Sequence, residues 1–330
     1  MKTVLFGPFI GELGWELMWW QGWVRKVCQT TYAGCHRIAV STPGREPFYP
    51  YVDEFWPLPD HIQKRLRSQR NYITDYWRNG LPQAGGFPIK KLLLNLRLQR
   101  KEVSETALPD LEPDIAALIA SYRKRVPGEL VVHCPCYLNH FAPDGLTFGV
   151  SCPEKPRSER SIRPHKIPLA QQLLEPIQPT ARGLEELDRL ASPQERLIAV
   201  FPRNRTMRRS DKNWPREKYD RLIRALQTRY PDHRVAILGD PVGAHYADGV
   251  PEGCLDLINC APQVRLDLQV AALSRCGLAL GSFSGAILLA LACRCPAVTW
   301  GYQNVAKLYH DETYLNTSFV YYPFMESSVE

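Results

Sequence analysis

The chain has 330 residues, of which 45% are hydrophobic and 23% are charged, and its net charge at pH 7 is +7. This composition is ordinary for a soluble globular protein, and the length allows two domains of ordinary size. No apolar run reaches the roughly 18 residues of a membrane-spanning helix, and the amino terminus, MKTVLFGPF, is too short for a signal peptide, so we expect a cytoplasmic protein.

The first half begins with a regular α/β pattern. We predict a strand over residues 3–6, a helix over about 14–27 and a strand over 37–41. A glycine-rich stretch, GPFIGELG, joins the first strand to the first helix. A further helix is predicted near 112–123 and a strand over 129–133, whereas residues 142–182 are rich in proline and charge and read as loops.

A basic insertion, residues 61–105, interrupts this pattern. Ten lysines and arginines but one acid, Asp75, lie between Lys64 and Lys101, with aromatic residues interleaved. Such a segment favours an acidic partner, which could be nucleic acid, anionic lipid head groups or a phosphorylated substrate. A solvated surface arm is the alternative.

Several histidines and cysteines stand close together in the sequence, at His133, Cys134, Cys136, His140 and Cys152. Their spacing does not match a known zinc motif, so we predict buried thiols at a strand end and no metal.

The second half alternates strands and helices throughout. Strands are predicted over 196–201, 234–239, 255–258, 277–281 and 296–300, with helices over 215–230, 267–275 and 285–293. This alternation predicts an α/β fold of two Rossmann-like domains facing across a cleft. We place one domain over residues 1–180 and the other over residues 181–330.

Two loops of the second half carry the strongest chemical signals. FPRNRTMRRSDKNWPREKY, from residue 201, leads from a strand to a helix, and its cations, which would repel one another without an anion, are Arg203, Arg205, Arg208, Arg209 and Lys212. In LALGSFSGAILLALA, from residue 278, Ser284 and Gly285 start an apolar helix whose free amide groups attract phosphate, and Ser282 adds a hydroxyl. Both loops predict a diphosphate site; a solvated basic loop is the alternative.

The order of these motifs, K-x-W-P, then v-x-x-L-G, then L-x-[LV]-G-x-x-x-G, then A-x-x-x-P-x-[VA]-x-[WF]-G, resembles the carboxyl-terminal half of the ADP-heptose:lipopolysaccharide heptosyltransferase family over residues 196–301. The resemblance implies the GT-B fold and inverting, metal-independent sugar transfer without a cofactor. It also implies donor-phosphate contacts at Lys212, Ser284 and Gly285. The family's D-[ST]-G-x-x-H is replaced here by a stretch that starts at Phe283, which leaves the donor sugar open.

Inverting transfer needs a general base for the acceptor hydroxyl, and a carboxylate on the glycine loop of the first domain would face the donor. Glu12 and Glu16 both qualify by type, although either could merely cap the helix. Asp144 is a more distant candidate.

The remaining predicted contacts to the nucleotide or sugar are Gly11, Gly14, Gly239, Asp240 and Phe283. We expect transfer to an anionic acceptor, either a glycolipid or lipopolysaccharide-type glycan at a membrane surface or a modified nucleic-acid base. Two alternatives stay open: a sugar-nucleotide epimerase or hydrolase of the same fold, and a nucleic-acid-binding protein with a degenerate transferase core.

Overall fold

The computed structural model describes residues 2–11, 13–63, 112–135, 161–162, 167, 169–205, 212–301 and 319–323. Glu12, Asp75, Cys136, His140, Asp144, Cys152, Arg208 and Arg209 lie outside these residues, as does nearly all of the basic insertion, and the side chains of Trp15 and Trp19 are likewise not described. Among the described residues, every helix is too short or too polar to span a lipid bilayer.

The strands are β1 (Thr3–Phe6), β2 (His36–Ser41), β3 (Glu54–Pro57), β4 (Leu130–Pro135), β5 (Ser161–Ile162), β6 (Arg196–Phe201), β7 (His233–Ile237), β8 (Leu255–Asp256), β9 (Cys276–Ser282), β10 (Ala297–Gly301) and β11 (Phe319–Pro323). The α-helices are α1 (Leu13–Trp15), α2 (Gln21–Gln29), α3 (Glu112–Arg125), α4 (Ala181–Asp188), α5 (Arg216–Arg229), α6 (Pro262–Arg275) and α7 (Gly285–Ala292). A π-helical segment, Glu16–Trp20, joins α1 to α2, and short 3₁₀ helices occupy Glu46–Phe48 and Leu169–Gln171.

These strands form two parallel sheets. The first has the order β3-β2-β1-β4-β5, and the second has the order β11-β10-β9-β6-β7-β8. In each sheet the strand order reverses beside the first strand of its half, between β1 and β4 and between β6 and β9. Ligands of open α/β sheets bind at such reversals, beyond the carboxyl ends of the strands. The division at residue 180 stays a prediction, although each sheet lies on one side of it.

Apolar packing joins the two halves. One cluster of buried side chains includes Phe6 and Leu17 from the first half and Ile287 and Leu291 from the second. Helix α7 is apolar all round and is buried over Ile287–Ala292, because it packs against both its own sheet and the first-half helices. The glycine loop of the first domain and the start of α7 are therefore held together by a shared core.

The segment after the loops of the first half ties the domains together a second time. Leu173 donates its amide hydrogen to the carbonyl oxygen of Gly22 on α2, and Ile177 donates to that of Ala292 at the end of α7, both at 2.8 Å. The connection between the sheets thus runs along one helix from each domain.

The predicted elements differ from the structure mainly in the first half. The single helix predicted over 14–27 is instead three helical pieces, with a π-helical segment that the 3.6-residue period does not reveal. Strand β3 was missed because it is a four-residue edge strand that ends in a proline. In the second half, α6 begins at Pro262 rather than Asp267, because proline suits the first helical turn.

Candidate active site

The basic loop and the glycine turn of the second domain leave neighbouring strands. Phe201, the last residue of β6, pairs with Gly281 of β9 in the parallel register. A Cβ on Gly281 would lie 2.8 Å from the Phe201 carbonyl oxygen, so this close approach requires glycine. The residues that follow each strand therefore emerge side by side at the reversal of strand order.

Hydrogen bonds fix the described residues at both ends of the basic loop. The amide hydrogen of Asn204 bonds the carbonyl oxygen of Gly243 at 2.8 Å, and Arg203 forms an isolated bridge with Ala244. Farther along, the Asn213 side chain donates to the carbonyl oxygen of Arg205 at 2.8 Å and accepts from its amide hydrogen at 3.1 Å. These contacts bring Arg205 and Asn213, the described residues on either side of residues 206–211, close together.

Two of the predicted phosphate-binding cations are buried, and one of them, Lys212, lies at the glycine turn. The Lys212 ammonium is 5.5 Å from the centroid of the Phe283 ring, directly before α7. Arg203 and Lys212 are both buried, at 7% and 9% exposure. Long cationic side chains held this close to a helix N-terminus make an electropositive setting that suits an anion.

The structure corrects the prediction for Ser282. Its side chain is fully buried, and its hydroxyl lies 3.0 Å from the hydroxyl of Tyr219, a residue of α5. Burial raises the pKa of Tyr219 to about 12, so this phenol stays protonated. Ser282 therefore holds the turn to α5 and does not present its hydroxyl to a ligand. The Phe283 ring, at 4% exposure, likewise supports the turn from inside instead of lining open space.

Ser284 and Gly285 stand where the sequence places them, at the start of α7. Ser284 is the N-cap in an extended conformation, with φ of −157°, and its side chain makes no capping hydrogen bond with the helix. The first helical amide groups are therefore not capped by this hydroxyl. A helix start of this kind can donate to phosphate oxygens.

The glycine turn of the first domain, residues 7–14, reaches this helix start. Gly7 has φ of +131° and lies against β2, where a Cβ would come within 2.3 Å of the Val40 carbonyl oxygen, so only glycine fits. At the other end of the turn, a Cβ on Gly14 would lie 3.1 Å from the Cα of Gly285. The two glycine-rich turns thus meet, one from each domain.

The structure argues against Glu16 as the base. Its carboxylate is fully buried, and it accepts hydrogen bonds from the Ser41 hydroxyl at 2.6 Å, from the Tyr49 hydroxyl at 2.5 Å and from the Arg45 guanidinium. A carboxylate with these three partners cannot reach an acceptor hydroxyl. Arg45 also donates to the carbonyl oxygen of Gly11, at 3.3 Å.

The predicted nucleotide contacts Gly239 and Asp240 begin the loop after β7. Gly239 has φ of +142°, and its carbonyl oxygen accepts from the Gln269 amide at 2.7 Å. Asp240 accepts from the amide hydrogen of Val242 at 2.9 Å and lies 3.3 Å from Arg265. In this arrangement Asp240 shapes the turn, and its exposed carboxylate remains accessible at the rim of the site.

Sequence reasoning placed Trp300 at this edge but missed its packing with Trp214 and Tyr219. The rings of Trp214 and Trp300 stack with centroids 4.2 Å apart, and Tyr219 packs edge-on against Trp214. The only sequence signal was that both tryptophans fall within motifs, K-x-W-P and W-G. Arg45 and Tyr49 were also missed, because they follow β2 and no motif marks them.

The histidine and cysteine cluster at the end of β4 is structural where it is described. Cys134 is fully buried, as predicted, and His133 bonds the Tyr32 hydroxyl at 2.6 Å. Within the described ranges, no group of three or more His, Cys, Asp or Glu side chains could hold a metal ion.

The chain is similar to known proteins in both sequence and structure. Residues 168–305 match the family model described as glycosyltransferase family 9 (heptosyltransferase). A glycosyltransferase family 9 structure from Veillonella parvula superposes with a TM-score of 0.52 at 12% identity, covering 99% of this chain and 88% of that one. The E. coli ADP-heptose LPS heptosyltransferase II gives 0.47 at 15% identity, covering 99% and 91%. No curated protein sequence matches the chain.

The fold and the family match together define a GT-B glycosyltransferase, as the sequence predicted. Within that class, its carboxyl-terminal half is similar to glycosyltransferase family 9, and the resemblance drawn from the motifs is confirmed.

Proposed function

We propose that the chain is an inverting, metal-independent glycosyltransferase that moves a sugar from a nucleotide-diphosphate sugar to an acceptor hydroxyl. The observation that carries the proposal is the contact between Gly14 and Gly285, which brings the glycine turns of the two domains together. A donor bound at one turn would thereby face an acceptor bound beside the other.

The second domain would stabilise the leaving diphosphate. Lys212 lies beside the Phe283 ring directly before α7, Arg203 and Arg205 belong to the same basic loop, and the amide groups at the start of α7 add the positive end of its dipole. Fixed cations and amide groups aimed at developing negative charge are the usual means of lowering such a barrier. They would supply the charge stabilisation that a metal ion supplies in other transferases.

The first domain would supply the base. Because the buried contacts of Glu16 argue against that residue, Glu12 is the candidate of the two that remains. The carboxylate of Glu12 would take the proton of the acceptor hydroxyl as its oxygen attacks the anomeric carbon. The bond from that carbon to the diphosphate oxygen would break on the opposite face, which inverts the configuration. Because Glu12 directly precedes helix α1 in the sequence, the helix dipole would help to keep it ionised.

The acceptor is proposed to be anionic, either a glycolipid or lipopolysaccharide-type glycan or a modified nucleic-acid base. Support comes from the basic insertion over residues 61–105, which lies almost entirely outside the described residues. The description of the matching family model as heptosyltransferase supports the glycan, and we propose that the protein acts in the cytoplasm at a membrane surface.

Product analysis with a panel of ADP-, UDP-, GDP- and dTDP-sugars tests the proposal. We expect one donor to be consumed only when an acceptor glycan is present, with an inverted anomeric centre in the product, and we expect Glu12→Gln to abolish that turnover. Donor conversion without an acceptor would favour the epimerase or hydrolase. Steeply salt-dependent nucleic-acid binding with no turnover of any donor would favour a nucleic-acid-binding protein with a degenerate transferase core.

A further inference from the structure

The loop after β2 surrounds one buried carboxylate. Ser41 ends that strand, and Arg45 and Tyr49 lie on either side of the 3₁₀ helix that follows. All three side chains donate hydrogen bonds to the Glu16 carboxylate. Glu16 itself starts the π-helical segment between α1 and α2. π-Helical insertions are frequent at functional sites, where they redirect a side chain out of the regular ladder.

Arg45 makes a second contact that extends this arrangement to the glycine turn. One guanidinium nitrogen of Arg45 contacts both the Glu16 carboxylate and the carbonyl oxygen of Gly11. Gly11 and Glu16 lie on either side of Glu12 in the sequence. A single side chain from the loop after β2 therefore contacts both the backbone of Gly11 and the carboxylate of Glu16.

We propose that Arg45 and Glu16 are positioning residues, a buried ion pair that fixes the glycine turn of the first domain at Gly11 and at the start of the π-helical segment. The inference rests on the proposed function, because it assigns to Glu12 the role of base. It goes beyond that function by naming the residues that hold the base, neither of which would touch substrate.

Burial explains why this pair can hold a turn. Glu16 is fully buried and the Arg45 side chain is 13% exposed, so removing Arg45 would leave a carboxylate charge without its cation inside the protein. Among the described residues, the other partners of the Glu16 carboxylate are two hydroxyl groups, those of Ser41 and Tyr49. The Tyr49 phenol stays protonated, since burial raises its pKa well above the ordinary value, and helix α7, which packs against this segment, carries no charged residue.

Arg45 is itself fixed in place by its neighbours. It accepts an amide hydrogen bond from Phe48 at 3.0 Å, which starts the 3₁₀ helix Glu46–Phe48, and the Phe48 and Tyr49 side chains are buried. A base held within a fraction of an ångström by a rigid support is what an efficient proton transfer requires.

Amide hydrogen exchange on the protein without ligand provides the first test. We expect Arg45→Gln to speed exchange of a peptide spanning residues 7–14 by at least about tenfold while a peptide spanning 196–203 is unchanged. Arg37→Gln is the matched control, because it breaks an arginine–carboxylate pair of the same domain at the amino edge of the sheet. Where Arg45→Gln does not fold, Tyr49→Phe removes one Glu16 hydrogen bond and keeps the ring. Unchanged exchange in the 7–14 peptide would overturn the inference.

Steady-state kinetics provide the second test, with the donor and acceptor that the wild type turns over. We expect Arg45→Gln to lower kcat by about 100-fold with little change in donor KM, because the donor site lies in the other domain. Arg45→Lys should recover part of the loss and Arg37→Gln should behave as wild type. If Glu12→Gln abolishes turnover but Arg45→Gln does not lower kcat, the positioning role of Arg45 is wrong and the proposed transferase activity is unaffected. If Glu12→Gln is fully active, or no donor is transferred, the proposed function fails instead.

Discussion

Gly14 and Gly285 touch across the two domains, backbone against backbone. A Cβ on Gly285 would lie 2.9 Å from the amide nitrogen of Gly14 and 3.1 Å from its Cα. Each glycine stands at the start of a helix, α1 in the first domain and α7 in the second. A Cβ on Gly285 would overlap the backbone of Gly14 and one on Gly14 would be tightly packed, so the missing Cβ atoms set how closely the glycine turns of the two domains approach.

Replacing Gly285 with alanine should destabilise the protein, although alanine is the better helix former. We expect the free energy of unfolding to fall by about 1–3 kcal/mol, because the backbone of Gly14 must move. Urea denaturation measures the change. Gly34→Ala is the control, since a Cβ there meets no atom within 4 Å, and its effect should stay within about 0.5 kcal/mol. Equal stability of both variants would contradict the tight contact.

Replacing Lys212 with alanine should weaken nucleoside diphosphate binding. A charge-assisted hydrogen bond to phosphate is worth about 1.5–3 kcal/mol, so we expect the Kd to rise by at least about tenfold. Thermal shift against ADP, UDP and GDP gives the comparison, because at a fixed ligand concentration the midpoint rises with the logarithm of the affinity. Lys124→Ala, on helix α3 of the first domain, should bind as the wild type does. Identical shifts for the two variants would remove Lys212 from the phosphate site.

The hydrogen bond between Tyr219 and Ser282 predicts a non-additive pair of variants. Tyr219→Phe and Ser282→Ala each leave one buried hydroxyl without its partner, so each should lower the free energy of unfolding by about 1–3 kcal/mol. The double variant should lose less than the sum of the two, which chemical denaturation can measure.

Donor binding separates this structural role of Ser282 from the phosphate contact that the sequence suggested. Ser282→Ala should leave the Kd for nucleoside diphosphates unchanged, since its hydroxyl points to Tyr219. A Kd raised in Ser282→Ala but not in Tyr219→Phe would restore the original prediction.

Asp53 should contribute to the stability of the first domain in a pH-dependent way. Its hydrogen bonds with the Arg37 side chain lower the pKa of Asp53 from 3.8 to about 2. A lowered pKa in the folded state means that this stability is present above pH of about 4 and is lost as pH falls through about 2. The pair is partly exposed and screened, so its contribution is under about 1 kcal/mol.

Acid unfolding of Asp53→Asn measures this contribution. The variant should be less stable than the wild type at pH 7, and the difference should shrink between about pH 4 and pH 2. Asp232→Asn offers a comparison at a fully exposed carboxylate. A difference that grows as the pH falls would contradict the assignment.

Much of the second domain could be predicted because its local patterns are strong. The run RLIAVF was predicted as a strand over 196–201, and β6 has those bounds, since a short continuous apolar run fits a strand buried on both faces. Helix α7 was predicted to within one residue from the serine and glycine that precede an apolar stretch. The first domain was less predictable because its strands β3 and β5 are short and its first helix contains a π-helical segment.

The order of residues along the chain alone determined the fold class, the pairing of a cationic loop with a glycine turn, and the carboxylates available as a base. Only the tertiary structure decided which polar side chains are buried and which groups they bond to. Ser282 and Glu16 look like active-site groups by type and position, yet both are fully buried and bonded to side chains distant in the sequence. Periodicity reports which residues face a core, whereas the partner of a buried polar atom depends on which strands lie side by side, and that is settled when the sheets assemble.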